Sequence, residues 1–436
     1  MSLLLLQLIV FFSFWERLNI YIGFSLTPLL LLFPFYLLAK IIPFYTKIPL
    51  KECIKKTKEL LKQLQGNIPT KLWKLLGLVI AAQCLSILTS EFPAKTLQVV
   101  FFQVIKFGLM IVVILACRSE KIRNKILATW ITTSSVTAVI AIVQFVVYKL
   151  SIRPTLPHEY LIEKFGLVMN NLPADHFTFP IGNMLFIRPN STFIDTNTAA
   201  GFLGVSIILL LGLLLHQWKR GKSNTTQKVL LVSLLLHLIA FGMMLSRSAW
   251  LGLFAGIGCF VALILKYEGK ASFQKIKQAK LFKWGILLLI GIALFPSILI
   301  LKRLAEVIFF SESSLLDHVS FTSSALQLWM HNPLFGIGAG TFELMFKAHI
   351  DAGVKFISTT PVYLHWLTET GVLGLITQLG LIAYVLQNAL KGIKKGSSDM
   401  VVRIALLSGF IALLVANCFY SYLISPPVFV LMGITL

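Results

Sequence analysis

The sequence predicts an all-α fold, a polytopic transmembrane helical bundle of about twelve helices, and three observations carry that prediction. Hydrophobic residues make up 57% of the chain and charged residues only 13%, whereas about a quarter of a soluble domain is charged. The apolar residues gather in runs close to the roughly 20 residues that a helix needs to cross the hydrocarbon core. The cations fall in short clusters between those runs. In lipid every backbone N–H and C=O must be bonded within the protein, and a helix does this inside one segment. Residues 1–436 read as one membrane domain.

In chain order the expected spans are 3–15, 19–39, 72–90, 97–117, 125–148, 197–216, 228–245, 248–265, 284–301, 361–389, 402–420 and 425–436. The first resembles a signal-peptide core. No Lys or Arg precedes it, however, and Glu16-Arg17 follow where a small-residue cleavage site would stand, so it reads as a short span. The five cysteines, Cys53, Cys84, Cys117, Cys259 and Cys418, form no C-x-x-C pair. Neither a disulfide framework nor a zinc site is indicated, and no cofactor is expected.

The connections at 45–71, 118–125, 217–228, 266–283 and 391–403 carry most of the Lys and Arg residues, and all five fall on one side if the spans alternate. An excess of cations marks the cytoplasmic side, which places both termini there. The same distribution accounts for the net charge of +22 without a nucleic-acid partner, because no aromatic platform is interleaved with the cations. The remaining connections face outward. Two are long, the first outer loop at 149–196 and a large outer loop at 302–360.

Four outer-face segments hold the residues suited to chemistry. In Arg188-Pro-Asn-Ser-Thr-Phe-Ile-Asp195-Thr-Asn197, either Asp195 or Thr196 suits a helix N-cap, while Arg188 just outside lipid suits phosphate oxygens. In Leu245-Ser-Arg247-Ser-Ala-Trp250, Arg247 sits at the tip of a tight hairpin. It either snorkels to headgroups or clamps a phosphate with its planar fork. In the 302–360 loop, residues 317–331 have helical spacing through Leu326, Trp329 and Met330 and stop at Asn332-Pro333 before Gly336, Gly338 and Gly340. This reads as a surface helix, with His318, His331 and His349 as ordinary surface histidines and the glycines as a tight turn.

The fourth segment runs from Thr360 to Gly374. His365 and Glu369 lie four apart on one helical face, and an ionisable pair at the edge of hydrocarbon is a functional candidate. Lys106, in the middle of the span 97–117, has the same standing. Cations bind phosphate, and histidine near neutral pH can take a proton from a hydroxyl. No phosphate loop is present, so an outward-facing reaction would use a substrate activated beforehand, such as a lipid pyrophosphate.

These segments, in this order, resemble the O-antigen ligase and O-antigen polymerase superfamily of bacterial membrane proteins. The similarity is carried by Arg188 with Phe193-Ile-Asp195-Thr-Asn197, by Leu245-Ser-Arg247-Ser-Ala-Trp250, by Asn332-Pro-Leu-Phe-Gly336-Ile-Gly338-Ala-Gly340-Thr-Phe342 and by Tyr363-Leu…Glu369-Thr-Gly371-Val-Leu-Gly374, spanning about residues 185 to 380. The resemblance implies a GT-C-like, metal-independent glycosyltransferase of the bacterial inner membrane. It would move a glycan from undecaprenyl pyrophosphate to the sugar hydroxyl of an acceptor glycan or glycolipid, in lipopolysaccharide or other polysaccharide biosynthesis. By the same resemblance Arg247 and Arg188 hold the pyrophosphate, and Glu369, Asp195 and Asn197 support the site. This chain departs from the family at two positions. His318 stands where ligases often carry a second arginine, and Thr360-Pro361 stand where the family has a His-Asn pair. The expected base is therefore His365 or His318. A solute transporter or transport accessory, or a non-catalytic member of the same fold, is the alternative.

Overall fold

The computed structural model describes residues 2–15, 68–149, 178–181, 184–193, 195–220, 224–268, 313–350, 361–420 and 425–436, with short pieces at 20–21, 25–26, 32 and 66. Helices dominate. In chain order they are α1 (Ser2–Ser13), α2 (Thr70–Leu85), α3 (Pro93–Cys117), α4 (Glu120–Lys149), α5 (Thr196–Lys219), α6 (Asn224–Met244) and α7 (Arg247–Glu268). They continue with α8 (Ser313–His331), α9 (Phe342–His349), α10 (Val362–Gly392), α11 (Met400–Ala416) and α12 (Pro426–Thr435). Among the described residues, seven helical segments, at 70–89, 93–117, 120–146, 196–219, 225–244, 247–268 and 362–392, are long and apolar enough to cross a membrane. Shorter apolar helices cover 3–13, 400–416 and 426–435.

Two short antiparallel pairs were not anticipated. β1 (Ile20–Tyr21) pairs with β2 (Ser25–Leu26), and β3 (Thr178–Ile181) pairs with β4 (Met184–Ile187). The first pair stands where a helix was expected to start at residue 19, and Ile20 and Tyr21 are residue types that favour strands. The rest of 19–39, the expected span 284–301 and most of the cationic segments 45–71 and 266–283 lie outside the described residues.

Helix α11 is the hub of the bundle, packed against both α5 and α7. Small residues make that approach possible. A β-carbon at Gly252 would overlap the Ala412 carbonyl, and one at Gly256 would overlap Ile208, Ala412 and Ser408. Gly252 and Gly256 are one turn apart, as are Ser408, Ala412 and Ala416 on the facing helix. Without a hydrophobic drive between helices in lipid, this close backbone contact is what holds them. Gly256→Leu is therefore expected to destabilise the protein by about 1–3 kcal/mol or more, measured as a loss of thermal stability in detergent.

The cation-bearing helix ends come together. Asp399 bonds Arg403 (2.8 Å) and Arg123 (2.9 Å), tying the start of α4 to the start of α11, and Lys219 pairs with Glu268 at the ends of α5 and α7. Desolvation works to raise the Asp399 carboxyl, yet the two arginines hold it below its usual range. Lys106 lies 5.8 Å from the Phe429 ring centroid, which gives this mid-span cation an aromatic neighbour on α12.

At the opposite end α8 and α9 form a small second core from Phe321, Ala325, Leu328, Ile337, Phe342, Met345 and Phe346, packed against Phe92 and Leu364. The helix expected over 317–331 is present as α8. Phe321, Ala325 and Leu328 point in, while Leu326 and Met330 are exposed and Trp329 bonds the Pro333 carbonyl. Helix α8 is apolar on both faces, so periodicity alone did not say which face the core would take.

Candidate functional site

Asp195 is the N-cap of α5, its Oδ2 accepting from the Thr198 amide at 2.7 Å. Just before it, Arg188 holds the chain in place. Its Nε donates to the Met244 carbonyl (2.9 Å), its Nη2 donates to Asn197 Oδ1 (2.9 Å), and its own carbonyl accepts from Thr196 Oγ1 (3.1 Å). The Met244 carbonyl belongs to the last turn of α6, where carbonyls lack helical partners and a cation is favoured. Leu245 then turns the chain with φ +48°, and Arg247 opens α7 two residues later. The two arginines, 59 positions apart in sequence, thus belong to the same α6–α7 hairpin, Arg188 through its bond to Met244 and Arg247 as the first residue of α7. Arg188 and Arg247 are both half-buried.

The segment between Arg188 and Asp195 is a plug, not a loose loop. Asn190, Ser191, Thr192 and Phe193 are buried. Ser191, at φ +56°, donates its amide to Gln144 Oε1 (2.8 Å) and its hydroxyl to the Thr137 carbonyl (2.5 Å), while Thr192 bonds the Phe14 carbonyl (2.8 Å). Sequence reading missed Gln144, and its signal was a lone polar amide inside an apolar run. Desolvation raises the Asp195 carboxyl above its usual range, opposed by the Thr198 amide, the Tyr420 hydroxyl and the Arg188 charge. Tyr420 is a further contributor that sequence reading did not single out.

The second half of the site is built around a broken helix. Gly371 has φ +65° and ψ −170°, which interrupts α10. The groups freed by the break are bonded by the 333–338 loop. Ile337 and Gly338 donate their amides to the Thr368 and Glu369 carbonyls (3.0 and 2.9 Å), and the Val372 amide donates to the Pro333 carbonyl (2.9 Å). Leu334 accepts from the Leu373 amide. Gly336, Gly338 and Gly340 all have positive φ, and a β-carbon at each would collide with Glu369, Ser90 or Val99 respectively. The glycines are a tight turn as expected, made obligatory by close approach on two sides.

Glu369 is buried, with two N–H groups on its carboxylate. Oε2 accepts from the Gly340 amide (2.7 Å) and Oε1 from the Phe342 amide (3.2 Å), so Glu369 caps α9 from another helix. His365 Nε2 lies 3.2 Å from the same Oε1, and the Phe342 ring meets the imidazole edge to face at 6.0 Å. The expected His365–Glu369 pair is present. The sequence did not show that Glu369 also grips the glycine turn.

The end of α11 ties the halves together. The Val362 amide donates to the Asn417 carbonyl (3.2 Å) and Tyr363 Oη to the Leu414 carbonyl (3.0 Å), so the start of α10 rests on this end. Three residues beyond Asn417, Tyr420 reaches Asp195. A straight α10 of 31 residues would be about 46 Å long and α11, with 17, about 25 Å. The break at Gly371 lets the longer helix start and finish beside the shorter one, since Gly392 lies against Arg403. The break therefore sets residues 362–370 apart from the rest of α10, against the end of α11. Of the expected site residues, Arg188, Asp195, Asn197, Arg247, His365 and Glu369 gather at this end. His318 lies in α8 with its side chain outside the described residues, and His331 is exposed.

Compared with known proteins, the chain matches no family model and no curated protein.

Proposed function

We propose that the protein is a membrane glycosyltransferase of the O-antigen ligase or polymerase type, working at the end of the bundle opposite the cationic connections. The donor is a glycan on a polyprenyl pyrophosphate such as undecaprenyl pyrophosphate, and the acceptor is a sugar hydroxyl on a glycan or glycolipid. The observation that carries this reading is the constellation of Arg188 and Arg247 at the α6–α7 hairpin, joined through Asp195 and Tyr420 to the helix end on which the His365 segment rests. Two guanidinium groups beside lipid suit a leaving pyrophosphate, whose charge grows as the bond to the sugar breaks. The cation-rich connections then face the cytoplasm of a bacterial inner membrane, and both termini lie on that side.

Solute transport is the second reading. A helix broken inside a membrane bundle is common in transporters, where the freed groups coordinate ions. In α10 those groups are bonded by Pro333, Leu334, Ile337 and Gly338 instead, which favours transfer over transport. The discriminating experiment uses purified protein in liposomes with a polyprenyl-pyrophosphate glycan and a hydroxyl acceptor. Formation of a new glycosidic product with release of free polyprenyl pyrophosphate is the expected result. Movement of solute across the bilayer with no product would overturn it.

A further inference from the structure

Helix α8 carries an apolar face that the second core does not use. Phe321, Ala325 and Leu328 point into that core, yet Val319, Leu326 and Met330 are 55%, 38% and 63% exposed. At 3.6 residues per turn these three fall within about 40° of one another, on the side of α8 away from the core. Ser320, Gln327 and His331, also exposed, occupy a separate sector between the two apolar faces. Single exposed apolar residues are ordinary. A stripe of them with a polar sector beside it is the pattern of a helix lying in a membrane interface.

The stripe does not end with the helix. Leu334, just past α8, is 59% exposed, and its carbonyl accepts from the Leu373 amide of α10 (3.4 Å). Leu373, Ile376 and Leu379 continue as exposed apolar side chains along α10. On a helix apolar enough to cross a membrane, such side chains meet lipid. The depth agrees as well. Residues 372–392, the part of α10 beyond the break, would be about 30 Å long, the thickness of the hydrocarbon core. Gly371 then stands at the hydrocarbon edge, and the 333–338 segment bonded to both sides of the break stands there with it. That brings the last turn of α8 to headgroup level. Trp329 in this turn is half-buried and bonds the Pro333 carbonyl through Nε1 (3.1 Å), and tryptophan is enriched at this depth.

We infer that the Val319–Leu326–Met330 face of α8 is a membrane-binding surface. It is seated at the boundary between headgroups and acyl chains in the leaflet at this end of the bundle, with Ser320, Gln327 and His331 turned to water. Its partner is the phospholipid bilayer itself, not a protein chain or a soluble ligand. The contact anchors α8 and, through the 332–338 segment, the glycine turn that bonds both sides of the α10 break. Nothing in this contact depends on which reaction the protein carries out.

Photocrosslinking of the full-length protein in phospholipid liposomes tests this. With Met330 replaced by p-benzoyl-phenylalanine, irradiation is expected to give a covalent phospholipid adduct, read by mass spectrometry of the intact protein. The same replacement at Leu326, a second position on the face, should do likewise. Both side chains are exposed, so neither change disturbs the core. At Gln327, in the polar sector, the adduct yield should be at least about tenfold lower. Equal yields at 326, 327 and 330 would overturn the proposal. So would the absence of a lipid adduct from both 326 and 330, which puts the face in water, or crosslinks from them to a second copy of the chain in place of lipid. The outcome is independent of the transfer assay, so a protein that transfers no glycan leaves this reading intact, and a protein without the adduct leaves the glycosyl-transfer reading intact.

Discussion

Arg247→Ala is expected to lower glycan transfer by at least about 10²-fold, because under the proposed function it removes a charge that would stabilise the leaving pyrophosphate. The fold should survive the change. Arg247 is the first residue of α7, where the helix dipole disfavours a cation by a few tenths of a kcal/mol to about 1 kcal/mol. Alanine at that position removes this penalty and is a good helix former. Arg247→Lys retains the charge but loses the planar two-pronged donor, so activity between the two is expected. Transfer in liposomes, beside thermal unfolding in detergent, separates the effects. Wild-type transfer in Arg247→Ala would remove this arginine from the site. Arg188 is a poorer first test, because it also holds Met244 and Asn197 and its loss would loosen the hairpin.

Gly371→Ala is expected to be the most damaging single substitution for folding. The backbone at φ +65° and ψ −170° is accessible essentially to glycine alone, and forcing another residue there costs about 1–3 kcal/mol. A β-carbon would also overlap the Leu334 carbonyl and the Phe335 amide. The loop that satisfies the helix break must then withdraw, leaving backbone groups unbonded beside lipid at several kcal/mol each. Poor yield of folded protein and a large drop in thermal stability are the expected outcome. A protein of unchanged stability would show that α10 can run straight, which the 25 Å reach of α11 does not accommodate.

The helices beside the site were legible one by one. Asp195 was recognisable as an N-cap, the hairpin at Ser246-Arg247 as the tip between two apolar runs, and His365 and Glu369 as one face of a helix. Each of these depends on residues within a few positions of one another. What escaped were relations across long separations. Gln144 meets Ser191, Arg188 meets Met244, Tyr420 meets Asp195, and Glu369 meets Gly340. None of these has a local signature, because a hydrogen bond depends on where two elements have packed and not on the spacing within either.

The membrane character, most of the spans and the types of residue at the candidate site were therefore determined by the sequence alone. Lipid acts on each segment separately, so a run of apolar side chains is enough to make it a helix. The tertiary structure decided how these pieces combine. It broke α10 at Gly371, turned α8 to bury Phe321 rather than Leu326, and made Glu369 both the cap of α9 and the partner of His365. Those outcomes follow from packing. Glycines and small residues let backbones approach, and buried polar groups such as those of Ser191 and Glu369 then found partners within reach, however distant in the chain.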